Sequence, residues 1–170
     1  MIPNPTPSRS KSLPGTVWRP ALKRVMAGQG TYLLFCDFSR TDRIDLVKEG
    51  VPARLLTMLA SDMDVTRDRL YLWLGIARAT ANRKVKANEV LSQDESERAL
   101  GVARLVGQVE KIVAESGSPE GFDAAKWTAA WLARANRALG GKTPGDYMDT
   151  SDGRALVAGL VAQMQSGAYA

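Results

Sequence analysis

Gly141-Lys142-Thr143 matches the last three letters of a phosphate-binding loop. Such a loop needs a glycine seven positions before its final Thr, a strand entering and a helix leaving, so that backbone amides and the lysine surround the phosphates. Position 136 is Asn, the preceding "WTAAWLARANRA" has a helical, alanine-rich pattern, and Pro144 stands where the nucleotide-binding helix would already be running. The run therefore reads as a joint between helices, with Thr143 as a cap and Pro144 in the first position of a short helix. Little other chemistry is on offer. The chain has no histidine, the commonest general base and metal ligand, and its Asp, Glu, Lys and Tyr residues show no telling spacing. Its single cysteine, Cys36, lies among Leu34, Phe35 and Phe38 and reads as a small buried hydrophobe. These features argue against an enzyme and against a cofactor.

The other candidate chemistry is recognition of a polyanion. In "TRDRLYLWLGIARATANRKVKANEV" a helix ends at Gly75, one apolar residue (Ile76) follows, and a second helix begins within three residues, which is the pattern of a helix-turn-helix unit. Arg69 to Asn88 holds five basic residues and no acid. The second helix of such a unit lies in the major groove. There Arg78 and Asn82 are candidate base readers, since Arg pairs with guanine and Asn with adenine through two hydrogen bonds. Lys84 and Lys86 are candidate phosphate contacts. Thr80 and Arg83 complete the DNA-binding set. A solvated helix face explains the same charges, and spacing leaves both readings open.

The elements that must position these residues are helical. Residues 1 to about 15 are Pro- and Ser-rich and are expected to be disordered or loosely attached. "WRPALKRVMAG" has helical spacing up to Gly28, while "TYLLFCDF" fits strand or helix equally. Beyond Ser39 the signals sharpen. Ser39 with Asp42 caps a helix that stops at Gly50, and Pro52 is expected in the first turn of the next one, with Leu55, Leu56 and Leu59 on one face. Thr66 caps the first helix of the helix-turn-helix unit. Ser92 with Glu95 opens a long helix to Ser116, striped by Ala99, Val102, Ala103, Val106, Val109 and Val113. "FDAAKWTAAWLARANRAL" predicts another, anchored by Phe122, Trp127, Trp131 and Leu132, with the tryptophans read as core. Thr150 or Ser151 opens the last, with Leu156, Val157, Leu160, Val161 and Met164 inward and Gly167 ending it. No strand alternation follows residue 40, so the class is all-α.

At 170 residues, 45% hydrophobic and 24% charged, the chain is ordinary globular material, with apolar runs too short to span a membrane. One cysteine and no signal-peptide core predict a cytoplasmic protein. Charge is uneven: residues 1–40 carry +5, 41–92 carry +2 and 93–170 carry −2. The basic front suits a polyanion or a solvated tail, and the sequence does not choose between them.

"DLVKEGVPARLLTMLA", "LGIARATANRK", "LSQDESERALGVARLV" and "NRALGGKTPGDYMDTSDGRALVAGLVAQMQSGAYA" together resemble the Xre/MbcA/ParS antitoxins, from about Arg43 to Ala170. The specific part is Asn136, Ala138, Leu139, Gly140, Gly141, Thr143 and Pro144, then Thr150, Gly153, Gly167 and Tyr169. Ala77 and Ala81 depart from the pattern, where relatives carry a Ser/Thr cap and a larger apolar residue. The first 40 residues have no counterpart in the resemblance. It implies an N-terminal extension (1–40), a Cro/CI-like helix-turn-helix DNA-binding and dimerisation domain (41–92) and a small helical toxin-binding domain (93–170). The implied partners are a cognate RES-domain toxin that degrades NAD, operator DNA, and a second copy of the chain within a larger toxin–antitoxin complex. The implied act is occlusion of the toxin's active site by the chain's end, at Gln163, Met164, Gln165, Ser166, Gly167 and Tyr169, with repression of the operon through the helix-turn-helix domain. The alternative is a stand-alone helix-turn-helix repressor whose C-terminal half dimerises or senses a signal.

Overall fold

Ser92 and Glu95 start the helix on which the rest is assembled. In a computed structural model describing residues 18–117 and 119–166, the Ser92 hydroxyl accepts from the Glu95 amide at 3.2 Å and the Glu95 carboxylate accepts from the Ser92 amide at 2.8 Å. Two of the amides that every helix leaves unpaired at its start are thereby satisfied. The helix they open is the longest of the elements α1 (Trp18–Met26), α2 (Leu33–Asp37), α3 (Arg40–Glu49), α4 (Arg54–Asp62), α5 (Arg67–Leu74), α6 (Arg78–Lys86), α7 (Gln93–Glu115), α8 (Ala124–Leu132) and α9 (Ser151–Gln165). Helix α7 buries Ala99, Val102, Ala103, Val106 and Val109 as the stripe predicts, with Val113 at its edge. It packs against α2, α3, α4, α5, α8 and α9, and one hydrophobic core runs through them. The all-α class holds, with no strand among the described residues.

The ambiguous segment after Gly28 is helical. Tyr32, Phe35 and Phe38 are buried at helical spacing, and the Phe35 and Phe38 rings meet edge to face at 5.7 Å. Helix α2 has no capping side chain of its own. The Glu110 carboxylate of α7 accepts from the Leu33 amide at 2.8 Å instead. Burial pushes the Glu110 carboxyl above the ordinary glutamate range, and the amides of Leu33 and Tyr32 pull it partly back. Trp18, Leu22, Val25, Tyr32, Phe35 and Phe38 thus bring residues 18–38 into the core, and the segment expected to be loose, residues 1 to about 15, lies outside the described residues. Cys36 is half-buried, and burial raises its thiol pKa, away from the reactive thiolate.

Several details differ from expectation. Pro52 precedes α4 and forms an isolated antiparallel bridge with Val90. The reason is pairing with a distant stretch: the Leu91 amide donates to the Val51 carbonyl at 2.8 Å and the Ala53 amide to the Glu89 carbonyl at 2.9 Å, which ties residues 51–53 to residues 89–91 ahead of the helix. Helix α8 begins at Ala124, capped by Asp123, and ends at Leu132, well before Leu139. Asn136 is extended there, and its side chain accepts from the Ala138 amide to form a separate 3-10 turn, Arg137–Leu139, that closes on Gly140 and Gly141 in left-handed conformations. Of the predicted anchors, Leu132 is fully buried, Trp127 and Trp131 stack half-buried at 6.1 Å, and Phe122 is exposed. On α9, Val157, Leu160 and Val161 face inward, Met164 is half-buried and Leu156 is exposed.

The Gly-Lys-Thr run is a joint, as read. Pro144 opens a second 3-10 turn, Pro144–Tyr147, and Asp146 accepts from the Thr143 amide at 3.1 Å. Thr150 caps α9 by accepting from the Gly153 amide.

Helix α2 sits on α7 because Gly107 has no side chain. A Cβ there would stand 2.3 Å from the Tyr32 carbonyl oxygen and 3.0 Å from the Cys36 sulfur. Gly107→Ala gains helix propensity but forces backbone from backbone, so it is expected to lower stability by about 1–3 kcal/mol in urea unfolding.

Candidate DNA-reading face and toxin-binding end

Thr66 and Gly75 frame the first helix of the helix-turn-helix unit. The Thr66 hydroxyl accepts from the Arg69 amide at 3.2 Å, and Gly75 takes φ 60° to end α5. Ile76 is buried as the plug, and α6 follows from Arg78, packed inward through Ala81 and Val85. Ala77 occupies the cap position of α6 and offers no side-chain acceptor. The turn is secured from outside the unit. Arg98 of α7 donates one guanidinium nitrogen to the carbonyls of Leu74 and Gly75, both at 2.8 Å, and the other to Asp94. Sequence reading missed Arg98. Its signal was an arginine on α7 with a carboxylate one turn earlier, which sequence alone shows only as a surface pair.

The predicted DNA-binding residues separate into two groups. Arg78, Asn82 and Lys86 stand at i, i+4 and i+8, and with Arg67, Asp68 and Val85 they line one shallow depression of about 260 Å³. All three are exposed. Arg78 pairs with Asp68 at 3.0 Å, a contact exposed on both sides and readily exchanged for another anion. The Asn82 carbonyl accepts from the Tyr71 hydroxyl at 3.2 Å, which orients the amide from the buried side. Thr80 is half-buried. Arg83 and Lys84 turn elsewhere. Arg83 holds both Glu89 oxygens at 2.7 and 2.9 Å. Lys84 pairs with Glu95 at 2.5 Å, each side chain only 13% exposed. Burial works against the Glu95 charge, yet the hydrogen bonds from Lys84 and Ser92 outweigh it and hold the carboxyl below the ordinary range.

At the other end, α9 runs out beside the end of α7. Gln163, Gln165 and Ser166 are exposed and Met164 is half-buried. Gln165 donates to Glu115 at 2.8 Å, and the Ser166 hydroxyl to the Gln163 carbonyl. Gly167 and Tyr169 lie outside the described residues.

The antitoxin Xre-like helix-turn-helix domain family matches residues 42–104, from α3 into α7. The antitoxin Xre/MbcA/ParS C-terminal toxin-binding domain family matches residues 120–167, from before α8 past the end of α9. A Prs ADP-ribosylating antitoxin from Sphingobium sp. (strain YBL2) is 42% identical over 151 residues, spanning 86% of this chain and 95% of that protein. The chain belongs to the Xre/MbcA/ParS antitoxins. It is the antitoxin of a toxin–antitoxin pair, with a helix-turn-helix domain ahead of a toxin-binding domain. The similarity to the Sphingobium antitoxin is too long to exclude α2, so part of the first 40 residues has a counterpart after all. Among the described residues, no helix of the antitoxin is long and apolar enough to cross a membrane, and no group of three His, Cys, Asp or Glu could hold a metal ion.

The Lys84–Glu95 pair, at the start of α7, can be tested by its effect on stability. Lys84→Met leaves Glu95 desolvated without its partner and is expected to cost about 1–3 kcal/mol, whereas Lys86→Met stays within about 0.5 kcal/mol. A carboxyl held low in the folded state stabilises above its unfolded pKa, about 4.3, and that contribution disappears as pH falls through the folded value. The acid limb of the stability curve should therefore flatten in Lys84→Met, measured by urea unfolding across pH.

Proposed function

We propose that this antitoxin neutralises a RES-type toxin that consumes NAD, by laying the end of α9 across the toxin's active site, and that it represses its own operon as a homodimer through α5 and α6. The observation that carries the first half is the reach of the toxin-binding match. It runs to residue 167 and so takes in the last turn of α9, where Gln163, Gln165 and Ser166 are exposed. Plugging a cleft requires a segment that projects and still has hydrogen-bonding groups to offer. Gly167 and Tyr169 continue that segment, and tyrosine is among the residues that dominate interface energetics. The name of the Sphingobium relative speaks of ADP-ribosylation. ADP-ribosyl transfer and NAD hydrolysis break the same bond, between the nicotinamide nitrogen and the ribose C1′, and differ only in the acceptor. A RES-type NAD-cleaving site suits both.

Support for DNA reading is the alignment of Arg78, Asn82 and Lys86 on one exposed face of α6, with Arg69 exposed on α5. Arg83 and Lys84 belonged to the same set, but their partners Glu89 and Glu95 make them weaker candidates for phosphate.

Two experiments test the two halves. Deleting Gln165 to Ala170 is expected to abolish protection of cells expressing the toxin while changing stability by no more than about 0.5 kcal/mol. Retained protection would move the interface to earlier helices. For DNA, Arg78→Ala is expected to cost about 1–3 kcal/mol on the operator in a sequence-dependent way, and Lys86→Ala to weaken all duplexes alike. Operator binding by a chain whose deletion leaves cells healthy beside an intact neighbouring gene would return it to a stand-alone repressor.

A further inference from the structure

Helices α3 and α9 each pack on α7 and leave between them a trough of about 720 Å³. Its α7 side is built from Glu97, Gly101, Arg104, Gln108 and Lys111, which recur every three or four residues and so form one helix face about 21 Å long. Helix α3 supplies the near wall with Ile44 and Val47, and α9 the far wall with Ala155 and Ala158. On the far wall the small side chains of Ala155 and Ala158 let another backbone come close, while on the floor the Arg154 side chain lies over Gly101. Ile44, at 45% exposure, is an apolar side chain on the rim that nothing covers.

Charge in the trough is one-sided. Six cationic side chains line it against a single carboxylate, Glu97, which Arg154 faces at 4.0 Å. Arg43 donates to the Phe38 carbonyl at 2.6 Å. Arg40, Lys48, Arg104 and Lys111 are exposed, and no acid lies within ion-pair distance of them among the described residues. On α6, by contrast, Arg78, Arg83 and Lys84 all have carboxylate partners.

We propose that this trough seats an acidic amphipathic helix of the toxin, a second anchor apart from the end of α9. The proposal rests on the toxin reading above, and α9, one wall of the trough, lies within the matched toxin-binding domain. A helix laid in a groove uses an apolar stripe against apolar side chains and charge against charge, and both are present here, in Ile44, Val47, Ala155 and Ala158 on the walls and in the cations. The phosphodiester backbone of a nucleic acid has no use for the apolar walls. A second copy in a two-fold contact would set the same cations against each other.

The test is the binding of the purified product of the neighbouring reading frame to the full-length chain, to the deletion of Gln165 to Ala170, and to Arg40→Glu/Arg104→Glu/Lys111→Glu, over a range of salt. Lys111→Glu alone is measured as well, in case the triple variant does not fold. Affinity of the wild type should fall with salt. The triple variant should bind at least about tenfold more weakly and lose most of the salt slope, with Lys111→Glu shifted in the same direction. The C-terminal deletion should keep the slope. An unchanged slope with affinity within about threefold of wild type overturns the proposal. So does a triple variant that weakens binding to random-sequence duplex DNA and not to the protein, or one that breaks a wild-type dimer. If the wild type does not bind the neighbouring product at all, the toxin reading falls and the second anchor falls with it.

Discussion

The structure depends on close backbone approach to α7. At Gly107 the Tyr32 carbonyl comes so near that any side chain would collide with it, and at Gly101 the Arg154 side chain lies across the helix, 2.4 Å from where a Cβ would stand. These two omissions dock α2 on one side of α7 and α9 on another. Once α2 is that close, its first turn can borrow the Glu110 carboxylate as a cap, and Tyr32 can reach Asp62 at 2.6 Å. A five-residue helix is too short to persist alone, and it persists here because α7 supplies both its packing surface and its missing acceptor.

Pairing of charge decides which cations remain for partners. Lys84 is held by a carboxylate that also caps α7, so moving it would disturb the start of the longest helix. Arg83 is gripped by both oxygens of Glu89, whose carbonyl in turn accepts from the Ala53 amide. Two of the charges that made α6 look basic in sequence therefore serve the junction between α4, α6 and α7. What stays exposed on α6 is a narrow line of side chains, Arg78, Asn82 and Lys86, and cations without carboxylate partners among the described residues lie around α3 and α7. Summed charge along the sequence could not separate these, because it counts a buried pair and a bare cation on equal terms.

Much of the fold was legible because capping is local. Ser39, Thr66, Ser92 and Thr150 each accept from an amide three residues on, as their sequence contexts indicate. The misreadings had non-local causes. Pro52 was displaced by pairing with residues nearly forty positions away, and α2 was settled by a carboxylate on α7. The helix-turn-helix residues were found from spacing, but the partners of Arg83 and Lys84 were not, since Glu89 and Glu95 lie beyond the helix in sequence and face it only after the chain turns at Asn88. The end of α9 became a candidate through family resemblance, and its periodicity alone would have marked it as another packed helix.

A boundary between DNA-reading and toxin-binding parts, drawn at residue 92 or 93, falls where sequence signals change, but packing crosses it. The Trp73 ring of α5 lies over Gly145, where a Cβ would stand 2.3 Å from the indole nitrogen, and a Cβ at Gly75 would stand 3.1 Å from that of Asp149. Arg98, rooted in α7, holds the carbonyls of the same turn. The end of α5 and the segment before α9 are therefore in contact, Trp73 against Gly145 and Gly75 against Asp149. A close-packed interior resists compression, so the segment leading into α9 and the turn between α5 and α6 hold each other in place. The glycines at 75 and 145 are what allow that contact to be so short.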